Sequence, residues 1–152
     1  MPMTGQDYTK LCEGFTPVAK FDVNGYAVGY GFHGPEIVAG TTMTQVQADI
    51  AFPSYYSVAV GGAQRAIGSL WHKLDYVRQC ALVDMAYEMG GEALKKFNRM
   101  ILAINQEEWD TAAEECLNSI GYGHSTSSGV RSRAIRASGM LLTGRWPVGF
   151  GG

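Results

Sequence analysis

Apolar positions in residues 18–32 follow a pattern that is typical of β-strands. Asn24-Gly25 lies in the middle of this region with apolar residues on both sides, which predicts a hairpin whose returning strand covers residues 26–32. Residues 36–38 predict a third short strand. A sheet of this size is too small to be stable alone, so we expect it to pack against other elements.

From residue 44 onward, apolar residues recur at the three- or four-residue spacing of helices. A capping box at Thr44 and Gln47 predicts a helix through residue 52, which Pro53 is expected to end or kink. The glycine pair at 61–62 is expected to interrupt the next helical segment. Residues 74–89 are apolar nearly all round and predict a buried central helix, with further helices after it.

A second capping box begins at Thr4 and predicts a short first helix that ends near Glu13, just before Gly14. The predicted order is therefore one helix, a small antiparallel sheet and then helices alone. This order is α+β, and it excludes a doubly wound nucleotide-binding fold, in which strands and helices alternate.

Composition indicates a single globular domain. The chain has 152 residues, of which 46% are apolar and 17% charged, enough to build a core without metal or disulfide cross-links. The longest apolar runs fall well short of a membrane span, so we expect no membrane insertion. Residues 1–14 lack a basic segment followed by an apolar stretch, and we expect no signal peptide or signal anchor.

The cysteines and histidines show no ligand spacing. The three cysteines are far apart and read as buried thiols in a reducing compartment. None of the three histidines has a partner four residues away on a helix. We therefore expect no metal site and no cofactor.

Charge is distributed unevenly along the chain, which has a formal net charge of −2. All fourteen acidic residues lie in residues 1–115, whereas residues 116–152 carry four arginines and no acid. This basic segment could face an anionic polymer such as cell-wall material, or it could pair with the acids of the other part. The isoelectric point of about 5.9 does not favour a nucleic-acid partner.

Glu13 and Asp22 are the acids whose positions suggest chemistry. One ends the first predicted helix and the other precedes the hairpin turn, so they could face each other across a groove. Glycoside hydrolysis needs such a pair, in which one carboxyl protonates the leaving oxygen and the other activates water or attacks the sugar. Both positions are also common for purely structural carboxylates, and residue types alone leave both readings open.

The spacing of these residues resembles that of the phage-type lysozymes, glycoside hydrolase family 24. Eight residues separate Glu13 from Asp22, and Gly29-Tyr30-Gly31 follows at the place where that family has a glycine strand. The resemblance continues through residues 74–90, which are similar to the family's buried central helix, and as far as Trp146, in collinear order.

The resemblance implies a two-lobed lysozyme fold in one domain of residues 1–152. A small β-containing lobe would cover residues 14–52, and residues 1–13 and 53–152 would form a helical lobe. The implied activity is hydrolysis of the β-1,4 bond between N-acetylmuramic acid and N-acetylglucosamine in peptidoglycan. Glu13 would be the general acid, and Asp22 would activate the attacking water or act as nucleophile.

The resemblance also implies supporting residues around the cleft. Arg133 is expected to pair with or approach Glu13. Substrate contacts are expected at four positions: His33, Tyr87, Met100 and Glu115. Ala27 stands where the family has a threonine that holds the water, and Tyr30 is one of the nearby hydroxyl groups that could substitute for it.

Two alternatives remain beside an active hydrolase. One is a catalytically impaired lysozyme-fold protein that binds the cell wall, and the other is a lytic transglycosylase that uses Glu13 alone. The resemblance further implies a monomeric, bacteriolytic endolysin with peptidoglycan as its partner. It would accumulate in the host cytoplasm and reach the cell wall after holin-type release.

Overall fold

The computed structural model describes residues 2–22 and 25–151. The elements follow in this order: α1 (Gly5–Glu13), β1 (Thr16–Asp22), β2 (Gly25–Gly29), α2 (Gln45–Ile67), a 3₁₀ helix (Gly68–Lys73), α3 (Tyr76–Met89), α4 (Gly91–Leu94), α5 (Asn98–Asn105), α6 (Trp109–Leu117) and α7 (Ser128–Thr143). This order confirms the predicted α+β class, with a two-stranded antiparallel sheet and a predominantly helical remainder.

The chain divides into two compact units. The first, called the β unit here, is Gln6–Ser57. The second, called the helical unit, contains the residues up to Gly5 and those from Val58 onward. Helix α2 runs from one unit into the other. The prediction that residues 1–152 make one lysozyme domain, with lobes divided at 52/53, stays a prediction.

The predicted hairpin is present in the β unit. β1 and β2 pair antiparallel, with Asp22 opposite Gly25 and Lys20 opposite Ala27. The turn that Asn24 was expected to form lies outside the described residues. The returning strand is shorter than predicted, because it ends at Gly29, whose φ of +69° takes the backbone out of the extended region.

The third predicted strand, at residues 36–38, is wrong. The backbone there forms successive turns, in which the Ile37 amide donates to the Gly34 carbonyl and the Thr41 amide to that of Val38, each at 3.0 Å. The sequence explains the turns: Pro35 favours a turn position and Gly40 has a φ of +85°. An isolated bridge then connects Thr42 to Val18.

Helix α2 begins at the predicted capping box. The Gln47 amide donates to Thr44 Oγ1 at 3.1 Å, and the Thr44 amide donates to Gln47 Oε1 at 2.9 Å. The helix does not end at Pro53, and contrary to expectation it also continues through the glycine pair at 61–62. Burial of its inward face, which includes Phe52 and Ala63, offsets the hydrogen bond that a proline removes.

The glycine pair serves helix packing instead of interrupting the helix. A Cβ on Gly62 would lie 3.0 Å from Cα of Gly91, and a Cβ on Gly91 would lie 2.7 Å from Cα of Gly62. The distance of 2.7 Å is shorter than real Cβ contacts and that of 3.0 Å is tighter than most of them, so α2 and the start of α4 approach each other backbone to backbone. The rule that glycine interrupts a helix considers only neighbouring positions, so it could not predict this long-range contact.

The helical unit is built around α3, as the sequence predicts. Residues 80–86 of this helix are all buried, and Gly90 ends it with a φ of +89°. Helix α5 adds the large core side chains of Met100 and Ile104, and α7 adds those of Met140 and Leu141, whereas α6 buries small side chains. Among the described residues, no helix has both the length and the apolar character needed to cross a bilayer.

The cysteines are thiols, and two of the three are buried as expected. Cys80 and Cys116 lie in the core of the helical unit. Burial raises the pKa of the Cys116 thiol to about 12, which makes it unreactive at neutral pH. Cys12 is only partly buried, so its predicted burial is wrong. It is the second-last residue of α1.

Candidate active site

Glu13 is the last residue of α1 and is partly buried in the β unit. The helix ends there because Gly14 takes a φ of +67°, while its amide still donates to the Lys10 carbonyl at 2.9 Å. The Glu13 carboxylate lies against the backbone of Gly31. A Cβ on Gly31 would overlap Oε1 and would lie 3.0 Å from Cδ of Glu13.

Gly31 therefore has to be glycine for two independent reasons. Its φ of +75° lies in the left-handed region, which side chains other than glycine rarely adopt. In addition, its bare Cα leaves the space that the Glu13 carboxylate occupies.

Asp22 is the last residue of β1, and its carboxylate contacts His33. The His33 Nε2 atom lies 3.0 Å from Asp22 Oδ2, and the Nδ1 atom of the same ring lies 3.0 Å from the Gly31 carbonyl oxygen. The Asp22 and His33 side chains are 45% and 39% exposed. The sequence reasoning treated His33 as a substrate contact and missed this bond, since a separation of eleven residues between a strand end and a loop carries no local signal.

The two candidate carboxylates are thus both attached to the same short segment. Glu13 packs on Cα of Gly31, and Asp22 is linked through the His33 ring to the carbonyl of Gly31. This segment is a tight turn in which Val28 and Phe32 exchange backbone hydrogen bonds of 3.1 and 2.9 Å. Since both of these side chains are fully buried, the turn offers a fixed base for the two acids.

Tyr30 anchors this turn to the helices of the β unit. The Tyr30 side chain is buried, and its hydroxyl donates to Asp49 Oδ1 of α2 at 2.6 Å. Lys10 of α1 donates to the same oxygen at 3.1 Å, and its ammonium group lies 5.3 Å from the centroid of the Tyr30 ring. Gln45 also donates to the Tyr30 hydroxyl, at 3.3 Å. The predicted role of Tyr30 in supporting the site stays a prediction.

This cluster shifts the ionisation of two of its members. The pKa of Tyr30 is raised by burial and then by its hydrogen bond to Asp49. The pKa of Asp49 is lowered by the hydrogen bonds that it accepts from Tyr30 and Lys10. Both shifts favour the protonation states in which Tyr30 donates and Asp49 accepts, so the cluster is stable at neutral pH.

Ala27 lies in β2 opposite Lys20 and offers no hydroxyl. Of the nearby hydroxyl groups, that of Thr41 accepts a hydrogen bond from the Val38 amide at 3.0 Å in the following turn. Tyr26 packs edge-on against Phe21, with ring centroids 5.3 Å apart. On this side of the β unit, the imidazole of His33 contacts the candidate acid Asp22.

In the helical unit, Arg133 of α7 is buried among acids. Its Nε and Nη2 atoms donate to the two oxygens of Asp84, both at 2.8 Å, in a bidentate pair. Its Nη1 atom donates to Glu88 at 2.8 Å. These partners lie on α3, so the pair ties α7 to the central helix. Arg133 belongs to the helical unit and Glu13 to the β unit, and the expected approach of one to the other stays a prediction.

The other predicted substrate contacts also lie in the helical unit. Met100 and Glu115 line one pocket of about 360 Å³, between α5 and the end of α6. Met100 is buried and forms part of its apolar wall, whereas Glu115 is partly exposed. The remaining lining residues are mostly polar or basic: Lys96, Phe97, Asn98, Arg99, Asn118 and Ser119. Tyr87, near the end of α3, is partly buried and is not among the lining residues.

Within residues 2–22 and 25–151, no group of three or more histidine, cysteine, aspartate or glutamate side chains is arranged to hold a metal ion. The polar groups of the candidate site are carboxylates, one imidazole and backbone carbonyls. Such a set can donate and accept protons and can orient water or a sugar hydroxyl.

Comparisons with known proteins agree with this chemistry. The family model described as phage lysozyme matches residues 10–137. The pre-baseplate central spike protein of Enterobacteria phage T4 is 32% identical over 78 residues, which are 51% of this chain and 13% of that protein. Two Dictyostelium discoideum proteins, probable T4-type lysozymes 2 and 1, are 28% and 25% identical over 75 and 104 residues. These matches cover 48% and 67% of this chain, but only 44% and 58% of those two relatives.

Proposed function

The chain belongs to the phage lysozyme family, and from this membership we propose that it is a glycoside hydrolase acting on bacterial peptidoglycan. The bond cleaved is the β-1,4 linkage between N-acetylmuramic acid and N-acetylglucosamine. The family match spans residues 10–137 and includes every residue to which a role is assigned below. The observation that carries the proposal is the attachment of two carboxylates, from α1 and β1, to the single turn around Gly31.

Glu13 is the proposed general acid. Cleavage of a glycosidic bond needs a carboxylic acid that gives its proton to the leaving oxygen. Partial burial against the Gly31 backbone holds the Glu13 carboxyl in one place, and a fixed position is what proton transfer to a bound substrate requires. After the bond breaks, the leaving sugar carries the proton from Glu13.

Asp22 is the proposed second carboxylate. Either it accepts a proton from the attacking water, or it attacks the sugar and forms a glycosyl intermediate that water then releases. Its partial exposure leaves it accessible to solvent and to a sugar chain. Measuring the anomeric configuration of the first product by NMR separates the two routes, because the first route inverts that configuration and the second retains it.

The remaining assigned residues are proposed to bind and orient the polysaccharide. Met100 and Glu115 would contact it through the pocket that they line, and Tyr87 and His33 would add contacts along the chain of sugars. In the β unit, Tyr30 would act by fixing the turn that carries Gly31.

Analysis of the fragments released from purified peptidoglycan tests the proposed function. We expect the wild type to release soluble fragments with reducing N-acetylmuramic acid ends and the Glu13→Gln variant to release almost none. Fragments with 1,6-anhydro ends would instead support a transglycosylase that uses Glu13 alone. Wild-type release no greater than that of Glu13→Gln would contradict the enzyme assignment.

The second candidate function is cell-wall binding with impaired catalysis, and Ala27 is the observation that favours it. No hydroxyl group is present at this position, where the family has a water-holding threonine. Binding without cleavage predicts that the wild type cosediments with peptidoglycan and releases no fragments. The Asp22→Ala variant adds an independent test, since unchanged activity in this variant would exclude Asp22 from the mechanism.

The biological setting follows as part of the same proposal. A peptidoglycan hydrolase of this family would act as a monomeric, bacteriolytic endolysin that needs neither a nucleic acid nor insertion into a membrane. It would be held in the host cytoplasm until a holin-type pore gives it access to the wall. Lysis after expression with a holin, and its absence without one, is the expected result in host cells.

A further inference from the structure

The geometry points to His33 as a positioning residue for the reaction: its imidazole fixes the Asp22 carboxylate on the same backbone turn that fixes Glu13. This inference rests on the proposed function and adds to it a residue that acts through Asp22. A role in sugar binding alone would not require hydrogen bonds from His33 to both Asp22 and the Gly31 carbonyl.

The hydrogen bonds of His33 leave its ring little freedom. Nδ1 faces the Gly31 carbonyl and Nε2 faces Asp22 Oδ2, each at 3.0 Å. Each ring nitrogen thus lies within hydrogen-bond distance of one oxygen acceptor, on the backbone in one case and on the candidate acid in the other. Because the planar ring is bonded at both nitrogens, the position of the Gly31 carbonyl determines where the Asp22 carboxylate lies.

The backbone atom in question is well fixed. The turn from Val28 to Phe32 closes on itself by two backbone hydrogen bonds, and Phe32 stacks on Tyr55 with ring centroids 4.1 Å apart. Glycines at 29 and 31 adopt φ values of +69° and +75°, which this sharp reversal requires. The carbonyl of Gly31 is therefore part of a turn that hydrogen bonds and ring stacking hold together.

The hydrogen bond from His33 acts on an Asp22 side chain that is largely accessible. Asp22 is the last residue of β1, and its side chain is 45% exposed. The bond from His33 to Oδ2 limits rotation about the Cβ–Cγ bond and sets the direction in which the carboxylate faces. Because Glu13 packs on the same glycine, His33 fixes the two carboxylates relative to each other.

The exposure of the pair makes the inference testable without unfolding the protein. An ion pair between side chains that are 39% and 45% exposed contributes little to stability, because solvent screens it. Misplacing a reacting group by about 1 Å lowers turnover by about 100-fold. A role in positioning thus predicts a large loss of turnover with little loss of stability.

Steady-state kinetics of His33→Phe on a soluble peptidoglycan oligomer is the test. We expect kcat to fall about 10- to 100-fold, the change in KM to be much smaller than the fall in kcat, and the melting temperature to change little. His33→Gln keeps a donor near the Nε2 position and is expected to recover most of the turnover. His72→Phe replaces an exposed histidine of the 3₁₀ helix and serves as the matched control, with wild-type kinetics.

A double-mutant cycle completes the test. If His33 acts through Asp22, the change His33→Phe has no further effect on the residual activity of Asp22→Ala. An increase in KM at unchanged kcat would overturn the inference and leave His33 as a sugar contact. Turnover of His33→Gln as low as that of His33→Phe would also overturn it. An inactive wild type would overturn the proposed function itself, which distinguishes the two failures.

Discussion

The contact between Glu13 and Gly31 makes the change Gly31→Ala informative. A new Cβ would lie 3.0 Å from Cδ of Glu13, whereas ordinary carbon contacts begin at about 3.5–4.0 Å. The carboxylate would therefore have to move by about 0.5–1 Å. A displacement of that size at a reacting group lowers turnover by about 100-fold, which corresponds to about 2.7 kcal/mol of transition-state stabilisation.

The same change also strains the backbone, and Gly40→Ala isolates that part of the effect. Gly40 has a φ of +85°, close to the +75° of Gly31, but a Cβ there would meet no atom within 4 Å. Each alanine is expected to cost about 1–2 kcal/mol of folding stability from its left-handed conformation. The two variants should thus lose similar stability, while only Gly31→Ala loses activity.

The assay combines urea denaturation with kcat/KM on solubilised peptidoglycan. Wild-type activity in Gly31→Ala would refute the reasoning, because it would mean that the Glu13 carboxylate can leave this glycine without consequence. An equal loss of activity in Gly40→Ala would refute it as well, because backbone strain in the β unit would then explain both results.

Three further predictions concern stability and reactivity. Arg133→Met should destabilise the protein by about 3–5 kcal/mol in urea denaturation, because it leaves the Asp84 carboxylate buried without its bidentate partner. Replacing Asp84 by methionine in the same variant should recover part of this loss. Asp49→Asn should lower the stability of the fold at neutral pH, and the loss should become smaller as the pH falls below 3.8, the ordinary pKa of aspartate. The reason is that a carboxylate with a lowered pKa stabilises the fold while it is ionised and loses this contribution as it is protonated. Unfolding curves of the wild type and the variant between pH 2 and 7 check the sign. Thiol titration of the native protein should detect Cys12 alone, and all three cysteines after denaturation; a fast reaction of Cys116 in the native state would contradict its burial.

Much of the fold is predictable from local sequence signals. The capping box at Thr44, the apolar run at 74–89 and Gly144 at the end of α7 each correspond to an observed element or boundary. These features depend on residues within a few positions of one another, and a single sequence contains that information. The α+β class follows from their order.

The errors occur where distant contacts decide the structure. The glycine pair at 61–62 stays helical because Gly62 packs against Gly91, which lies 29 positions away and offers no local signal. Pro53 stays inside α2 because the buried face of that helix outweighs one lost hydrogen bond. The third strand was over-predicted because the two apolar residues at 37–38 count for less than the turns that Pro35 and Gly40 favour.

The candidate site shows the same division. Glu13 and Asp22 could be singled out by their spacing and by resemblance to a known family, but not by their surroundings. The sequence could not predict that Glu13 packs on Gly31 or that Asp22 is linked to this glycine through His33. Both contacts bring together residues from separate elements. The sequence identified the two candidate acids, and the structure shows the contacts that hold their side chains.

The central claim is that Glu13 supplies the proton for peptidoglycan cleavage, and the rate of Glu13→Gln tests it most directly. A glutamine keeps the shape of the side chain and cannot donate the proton, so we predict a loss of about 10²- to 10⁴-fold in kcat on purified peptidoglycan. Glu36→Gln, at an exposed glutamate of the same unit, is the matched control and should keep the wild-type rate. A Glu13→Gln variant that cleaves peptidoglycan as fast as Glu36→Gln would contradict the account.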